Sequence, residues 1–268
     1  MPQRKDSLTT INLPKISVLS KSEKISMMFY EIKKTKLDRV LVKDKDKLIG
    51  VVTLRDVFMK LASKKFSNMS PSSLSVAAFT SENLTHIDVK STLGDAVNIM
   101  ARENISALPV LEGKGAVLGL LTKNLLIHLL ASELRGKVEN YVIRTGYRIT
   151  AETSLSTLIN EILKDKDMRE FTVVQNNLPL GIVGEKELST FLFKYLSNDQ
   201  IYHMKSALQK YVANHIMTLI TEQLKSQDPV GKASDLMANT NLVIYPAVQE
   251  GSFLGVIRRR ELFNQLLT

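Results

Sequence analysis

The chain contains no cysteine and no tryptophan, and aromatic residues make up only 6% of its 268 positions. Without cysteine there is no disulfide scaffold, no cysteine-ligated zinc and no thiol nucleophile. Long hydrophobic runs are missing too, since none reaches the roughly 18–20 uncharged residues that a membrane-spanning helix needs. The opening MPQRKDSLTT lacks the apolar stretch of a signal peptide. The expectation is a cytoplasmic protein with no membrane partner, to which the absence of cysteine is suited. The four histidines, His86, His128, His203 and His215, form no His-x-x-x-His pair and no Glu-x-x-His set, so no metal site is expected. There is no Walker loop and no Gly-x-Gly-x-x-Gly. Composition leaves a Ser-His-Asp set open, but no serine lies in a nucleophile-elbow context. An enzyme is therefore the least favoured class.

What is present suits a folded protein with a substantial core. Hydrophobic residues make up 44% and charged residues 24%, and the length allows roughly one or two domains. The net charge of +9 is unevenly spread: residues 1–67 hold 16 basic and 7 acidic side chains, while residues 68–268 hold 20 of each. A basic excess confined to one segment favours an anionic partner there, such as nucleotide, nucleic acid, an acidic protein or a membrane surface. The competing reading is a lysine-rich solvated face.

A repeat runs through the chain. Ile25, Met28, Phe29 and Ile32 lie at i, i+3, i+4 and i+7, as do Leu93, Ala96, Val97 and Met100, and Leu155, Leu158, Ile159 and Ile162. Val230, Ala233 and Met237 form a fourth stripe that lacks one member. Each predicts the buried side of a short amphipathic helix. After each stripe come two β-like runs around a polar turn: RVLVKDKDKLIGVVT, LPVLEGKGAVLGLLT, FTVVQNNLPLGIVG and YPAVQEGSFLGVIR. The distance from stripe to glycine is 25, 26, 26 and 25 residues, ending at Gly50, Gly119, Gly181 and Gly255. A second helix follows each glycine, marked by Val57 and Leu61, Leu126 and Leu130, Leu188 and Leu192, and Leu262 and Leu266. Lead-in helices are expected to end at Phe79, Tyr141 and His215, 14 or 15 residues before the next stripe.

This order of elements, with ISALPVLEGKGAVLGLLT (105–122) and GVVTLRDV (50–57), resembles the cystathionine β-synthase (CBS) domain repeat. The fold class expected is α/β (α+β), with four tandem β-α-β-β-α repeats at 11–66, 72–134, 138–196 and 208–268. The resemblance implies that repeats pair through their sheets into modules, 1–135 and 136–268, which stack as a pseudo-symmetric disc. That disc would be internal to a monomer or completed in a homodimer. Burial of two apolar faces is the physical reason for pairing.

The family binds adenosyl ligands where the glycine strand runs into the second helix through Gly-x-x-Thr/Ser-x-x-Asp/Asn. An aspartate on the first helical turn can accept from ribose hydroxyls, and the helix terminus meets an anion. The first repeat has Gly50, Thr53 and Asp56, with Arg55 in the same turn. The alternative for Thr53 and Asp56 is simple helix capping. Arg55 is placed equally well against phosphate or in solvent. The second repeat keeps Gly119 and Thr122 but has Leu125 at the aspartate position and Asn124 one place early, so either Asn124 substitutes through a shifted turn or the site binds poorly. The third has Gly184 and Glu187 there, and Glu185 and Glu187 would repel phosphate. The fourth has Arg258, Arg259 and Arg260 followed by Glu261, which reads either as an unusual anion site or as an exposed cluster. Ahead of the second strand, where relatives grip phosphate, Arg39 and Val40 follow Asp38, so the grip looks incomplete.

The expected function is regulatory: a non-enzyme that senses AMP, ADP, ATP or S-adenosylmethionine and passes the change to an effector protein. Two alternatives stay open. One is nucleic-acid binding through Lys33, Lys34, Lys36, Lys43, Lys45, Lys47, Lys64 and Lys65, although few aromatic platforms lie among them. The other is a structural adaptor with degenerate clefts.

Overall fold

The computed structural model describes residues 2–62, 74–82, 84–113, 115–144, 147–165, 168–197 and 204–267. All four repeats fold as strand, helix, strand, strand, helix. The first comprises β1 (Val18–Ser20), α1 (Ile25–Thr35), β2 (Arg39–Asp44), β3 (Lys47–Thr53) and α2 (Leu54–Leu61), and is followed by β4 (Ser81–Glu82). The second is β5 (Ile87–Asp88), α3 (Leu93–Arg102), β6 (Ala107–Glu112), β7 (Ala116–Thr122) and α4 (Lys123–Leu129). The third is β8 (Arg148–Ile149), α5 (Leu155–Lys164), β9 (Glu170–Gln175), β10 (Leu178–Gly184) and α6 (Glu185–Ser197), followed by α7 (Met204–Lys210) and β11 (Thr218–Leu219). The fourth is β12 (Leu224–Lys225), α8 (Val230–Thr240), β13 (Ile244–Gln249), β14 (Ser252–Arg258) and α9 (Arg259–Gln265).

Local chemistry sets these elements. Thr92 and Ser154 cap α3 and α5 by accepting from backbone N–H groups three residues on, and Thr92 forms a reciprocal capping box with Asp95. The β9–β10 and β13–β14 hairpins turn through Asn176–Asn177 and Glu250–Gly251, all four with positive φ. Such turns match the twist of the strands they join, and asparagine and glycine tolerate the left-handed region best. The first strand of each repeat pairs parallel with the second, and the second and third pair antiparallel.

The predicted stripes face the core. Ile25, Met28, Leu93, Ala96, Met100, Leu155, Leu158, Ile162 and Ala233 are at most 1% exposed, whereas Phe29 and Ile32 are only partly buried. The lead-in elements are shorter than expected. They are single 3-10 turns at Val76–Phe79, Val138–Asn140 and Ala213–His215.

Their placement differs from their position in the chain. The turn after Ser75 bonds the first repeat, through Val76 N–H to Glu23 O and a bridge from Ser75 to Lys24. The turn at 138–140 bonds the fourth repeat, and that at 213–215 the third, while Leu8 N–H reaches Ser91 O of the second. A backbone segment following each turn then covers a repeat's glycine strand. β4 pairs with β3, β11 with β10, Ile143 with Val256, and Leu120 N–H donates to Pro14 O.

The chain packs as two compact units, one of residues 1–16, 85–145 and 222–268, the other of 17–84 and 146–221. The boundary at 135/136 that the resemblance implies is not where packing divides the chain, because the first repeat lies with the third and the second with the fourth. Within the 17–84/146–221 unit, α2 packs on α6, and Val57, Phe58, Leu61, Leu188 and Leu192 share one core. Within the other, α4 packs on α8 and α9, and Leu126, Leu130, Leu262 and Leu266 are fully buried.

Candidate functional site

In the 17–84/146–221 unit, β3 ends and α2 begins at Thr53. Thr53 is extended (φ −110°, ψ 160°), and its hydroxyl accepts from Asp56 N–H at 3.2 Å. Asp56 answers with Oδ2, which accepts from Thr53 N–H at 2.8 Å and from the Thr53 hydroxyl at 2.7 Å. The two residues therefore do cap the helix, as their types favour. Only one carboxylate oxygen is used in the cap. The other, Oδ1, accepts a long 3.4 Å bond from the Ser81 hydroxyl on β4.

Gly50 explains how Ser81 gets there. A Cβ at Gly50 would lie 2.3 Å from Ser81 O and 2.6 Å from Thr80 Cγ2, so only glycine lets β4 close on β3. The same device recurs: a Cβ at Gly119 would meet Leu13 Cβ at 2.6 Å, at Gly181 Thr218 O at 2.7 Å, and at Gly255 Ile143 O at 2.3 Å. The glycine that marked each repeat is thus a docking position for backbone, as well as the head of the loop.

Charged side chains surround Asp56. Arg39 donates to both oxygens of Asp38, from Nε at 2.8 Å and Nη2 at 3.1 Å. Burial works against the Arg39 charge, but Asp38 beside it and Asp56 further away outweigh that, and its pKa is held above the ordinary arginine value. Val40 is fully buried and serves the core. Arg55 forms an ion pair with Glu185, the first residue of α6; their side chains are 23% and 11% exposed. Burial pushes Glu185 up to about 7; Arg55 and Arg169 pull it down, while Asp38 and Asp56 push it further up. Glu187 sits at the position of Asp56 in the third repeat. It accepts from Gly184 N–H at 3.1 Å and from the Thr218 hydroxyl at 2.7 Å, and burial nonetheless raises its pKa. Glu185 is thus engaged by Arg55, and Glu187 by Gly184 and Thr218.

The 1–16/85–145/222–268 unit carries the other two loops. Thr122 caps α4 through Leu125 N–H at 3.2 Å. Asn124 is 3% exposed and does not turn toward the loop: its Nδ2 donates to Met237 O at 3.1 Å, Leu242 O at 3.1 Å and Asn241 Oδ1 at 3.3 Å. It fastens α4 to the end of α8. In the fourth repeat Arg258 donates to both oxygens of Glu261, from Nε to Oε2 at 2.8 Å and from Nη2 to Oε1. The pair stands where the threonine–aspartate cap of the first repeat does but makes no side-chain cap bond to the helix backbone, and it answers the arginine at the helix start from within the same turn. Glu261 also borders an open depression of about 440 Å³ with Glu133, Arg135, Tyr141, Asn264 and Gln265.

Lys33, Lys34, Lys36, Lys43, Lys45 and Lys47 are all exposed, whereas Lys64 and Lys65 lie outside the described residues. Asp44 and Asp46 interleave with them, and Asp44 pairs with Lys21 at 2.5 Å. Phe29 is stacked on Phe193 with centroids 3.9 Å apart and Phe58 is buried, which leaves Tyr30, 63% exposed, as the open ring of that segment among the described residues. Among the described residues no cluster of histidine and carboxylate side chains could hold a metal, and no helix is long and apolar enough to cross a membrane.

Comparison with known proteins agrees with this arrangement. The CBS domain family model matches residues 11–63 and 76–132. A crystal structure from Methanocaldococcus jannaschii, of a protein put forward as an archaeal homologue of g-AMPK, is similar over 93% of this chain and 95% of its own, with a TM-score of 0.74 and 16% identity. A conserved protein from Pyrococcus horikoshii is similar over 97% and 98%, with a TM-score of 0.56 and 17% identity. An uncharacterized 33.4 kDa protein in the ribosomal RNA operon of Thermofilum pendens is 19% identical over 98% of this chain and 92% of its own length.

Proposed function

We propose that this chain, a CBS-domain protein of four tandem repeats, is a regulatory protein that binds an adenosyl compound at the first-repeat loop and transmits its occupancy to an effector protein. The observation that carries the reading is Asp56. Its Oδ2 is committed to the α2 cap, while among the described residues Oδ1 meets a long 3.4 Å bond from Ser81, which a ribose hydroxyl can better with a shorter, charge-assisted one. Gly50, Thr53 and Asp56 stand together in this loop, and the similarity in fold to the Methanocaldococcus jannaschii protein supports the same reading. The other three loops are less suited. Leu125 offers no acceptor, Glu187 is buried in hydrogen bonds, and Glu261 is occupied by Arg258.

A sensor of this kind needs no covalent chemistry, only a ligand affinity that differs between two arrangements of the protein. AMP, ADP, ATP, S-adenosylmethionine and adenosine are the ligands to test, by calorimetry and thermal shift on the wild type and on Asp56→Ala. A ligand present at 100 times its Kd adds about 2.7 kcal/mol of stability. One of the five is expected to bind the wild type and to bind Asp56→Ala at least tenfold more weakly. Absence of binding by all five at millimolar concentration refutes the reading. A basic interaction surface on the first repeat would then be the account to pursue, read out as salt-dependent nucleic-acid binding.

A further inference from the structure

Beyond ligand binding, and whichever ligand binds, we infer that the outer face of α1 is a docking surface for a protein partner, which presents an acidic helix with apolar residues along one side. At about 100° per residue, Lys33, Ser26, Tyr30, Lys34 and Met27 fall within one arc of about 120°, opposite the buried Ile25 and Met28. Met27 is 40% and Tyr30 63% exposed, and Lys33, Lys34 and Lys36 are exposed as well. Carboxylates close to this face are spent on other partners: Glu31 accepts from the Ser17 hydroxyl and Glu23 from Ser20 N–H. The ion pairs of the first repeat go to Lys21, Arg39 and Arg55. Among the described residues, Lys33, Lys34 and Lys36 make none.

Lysines in the last turn of a helix offset its dipole, which accounts for Lys33 and Lys34. It does not account for two large side chains left open beside them. Methionine adapts to the surface it meets, and tyrosine offers contact area at little entropic cost, which is why both are enriched where proteins dock. Charge complementarity then sets the partner: carboxylates opposite Lys33, Lys34 and Lys36, and apolar side chains opposite Met27 and Tyr30. At 11 residues α1 is about 16 Å long, a match for three turns of a facing helix. Nucleic acid fits this surface less well. Tyr30 is the open ring of the segment among the described residues, and Asp44 and Asp46 interrupt the lysines of the β2–β3 hairpin. A lipid surface fits less well too, because two apolar side chains are too few to hold a helix at a bilayer.

The test is fluorescence anisotropy of the full chain with two synthetic peptides of identical composition, leucine and glutamate. One carries its leucines at i, i+3, i+4 and i+7, on a single helical face, and the other has them scrambled. The amphipathic peptide should bind at least about tenfold more tightly than the scrambled one. Met27→Ser with Tyr30→Ser should erase that difference, and Lys33→Glu with Lys34→Glu should weaken both peptides about tenfold or more. Lys90→Glu, an exposed charge reversal in the second repeat, should leave both unchanged. All three variants replace exposed side chains and should keep the wild-type Tm. Equal binding of the two peptides, or binding of neither, overturns the inference. So does tighter binding of an oligothymidylate, or of phosphatidylserine vesicles, that is lost in the Lys33→Glu, Lys34→Glu variant, since the face would then serve nucleic acid or lipid. None of these outcomes bears on adenosyl binding at the first-repeat loop, which the Asp56→Ala titration tests separately.

Discussion

Replacing Asn124 should show how firmly α4 is fastened to α8. Helix α8 ends at Thr240, with Asn241 in the left-handed region at φ 56°, and its last carbonyls have no partner within the helix. Asn124 brings one amide nitrogen to Met237 O, Leu242 O and Asn241 Oδ1, all at 3.1–3.3 Å and out of water. Asn124→Ala removes that donor from three acceptors at once. Each buried polar group left without a partner costs about 1–3 kcal/mol, but the three share one nitrogen, so the total is set at about 3 kcal/mol. At roughly 2–4 °C per kcal/mol for a chain of this size, the Tm should fall by roughly 6–12 °C. Urea denaturation should show the same loss with an unchanged slope. Asn124→Asp should be worse at neutral pH, since a carboxylate cannot donate to carbonyls, and should recover as the pH is lowered and the group takes up a proton. An Asn124→Ala variant within about 0.5 kcal/mol of the wild type would refute this bracket.

Gly50→Ala should cost about 1–3 kcal/mol, because the new methyl group meets backbone at 2.3 Å, and should weaken adenosyl binding by forcing β4 and β3 apart at the head of the loop. Gly113→Ala is its control: φ is +55° but nothing lies within 4 Å, so the expected cost is only the strain of about 1–2 kcal/mol, with binding unchanged. The pH dependence of stability should carry the signature of Glu185. Its folded pKa of about 7 exceeds the ordinary 4.5, so the unfolded chain releases its proton first. Stability should then fall as pH rises from about 4.5 to 7, by at most about 3 kcal/mol, and level off above. Chemical denaturation across that range should find the slope in the wild type and lose it in Glu185→Gln.

Periodicity made the fold readable because helix and strand burial impose fixed spacings. The stripe beginning at Leu155 had to face a core, and the runs either side of Asn176–Asn177 had to form a hairpin. The capping box of Thr53 and Asp56 was legible for the same reason, since it is a contact between residues three apart. Spacing placed Asn124 one position from the missing aspartate, which left open either a substitute through a shifted turn or a poor site. Its amide instead meets residues more than a hundred positions downstream, for which the sequence holds no local signal. Glu185 was read as a source of repulsion, and its partner Arg55 lies 130 residues away.

The sequence by itself determined the four repeats, their elements and the loop that carries Gly50, Thr53 and Asp56, because each depends on neighbours along the chain. Only the tertiary structure decided why a glycine stands in every repeat and where each lead-in turn docks. It also decided which repeats share a core and which carboxylate holds Arg55. These depend on backbone brought in from distant segments: Ser81 closes on Gly50, and Ile143 on Gly255. Such contacts leave in the sequence only the residue that makes room for them, and not the identity of what fills the space.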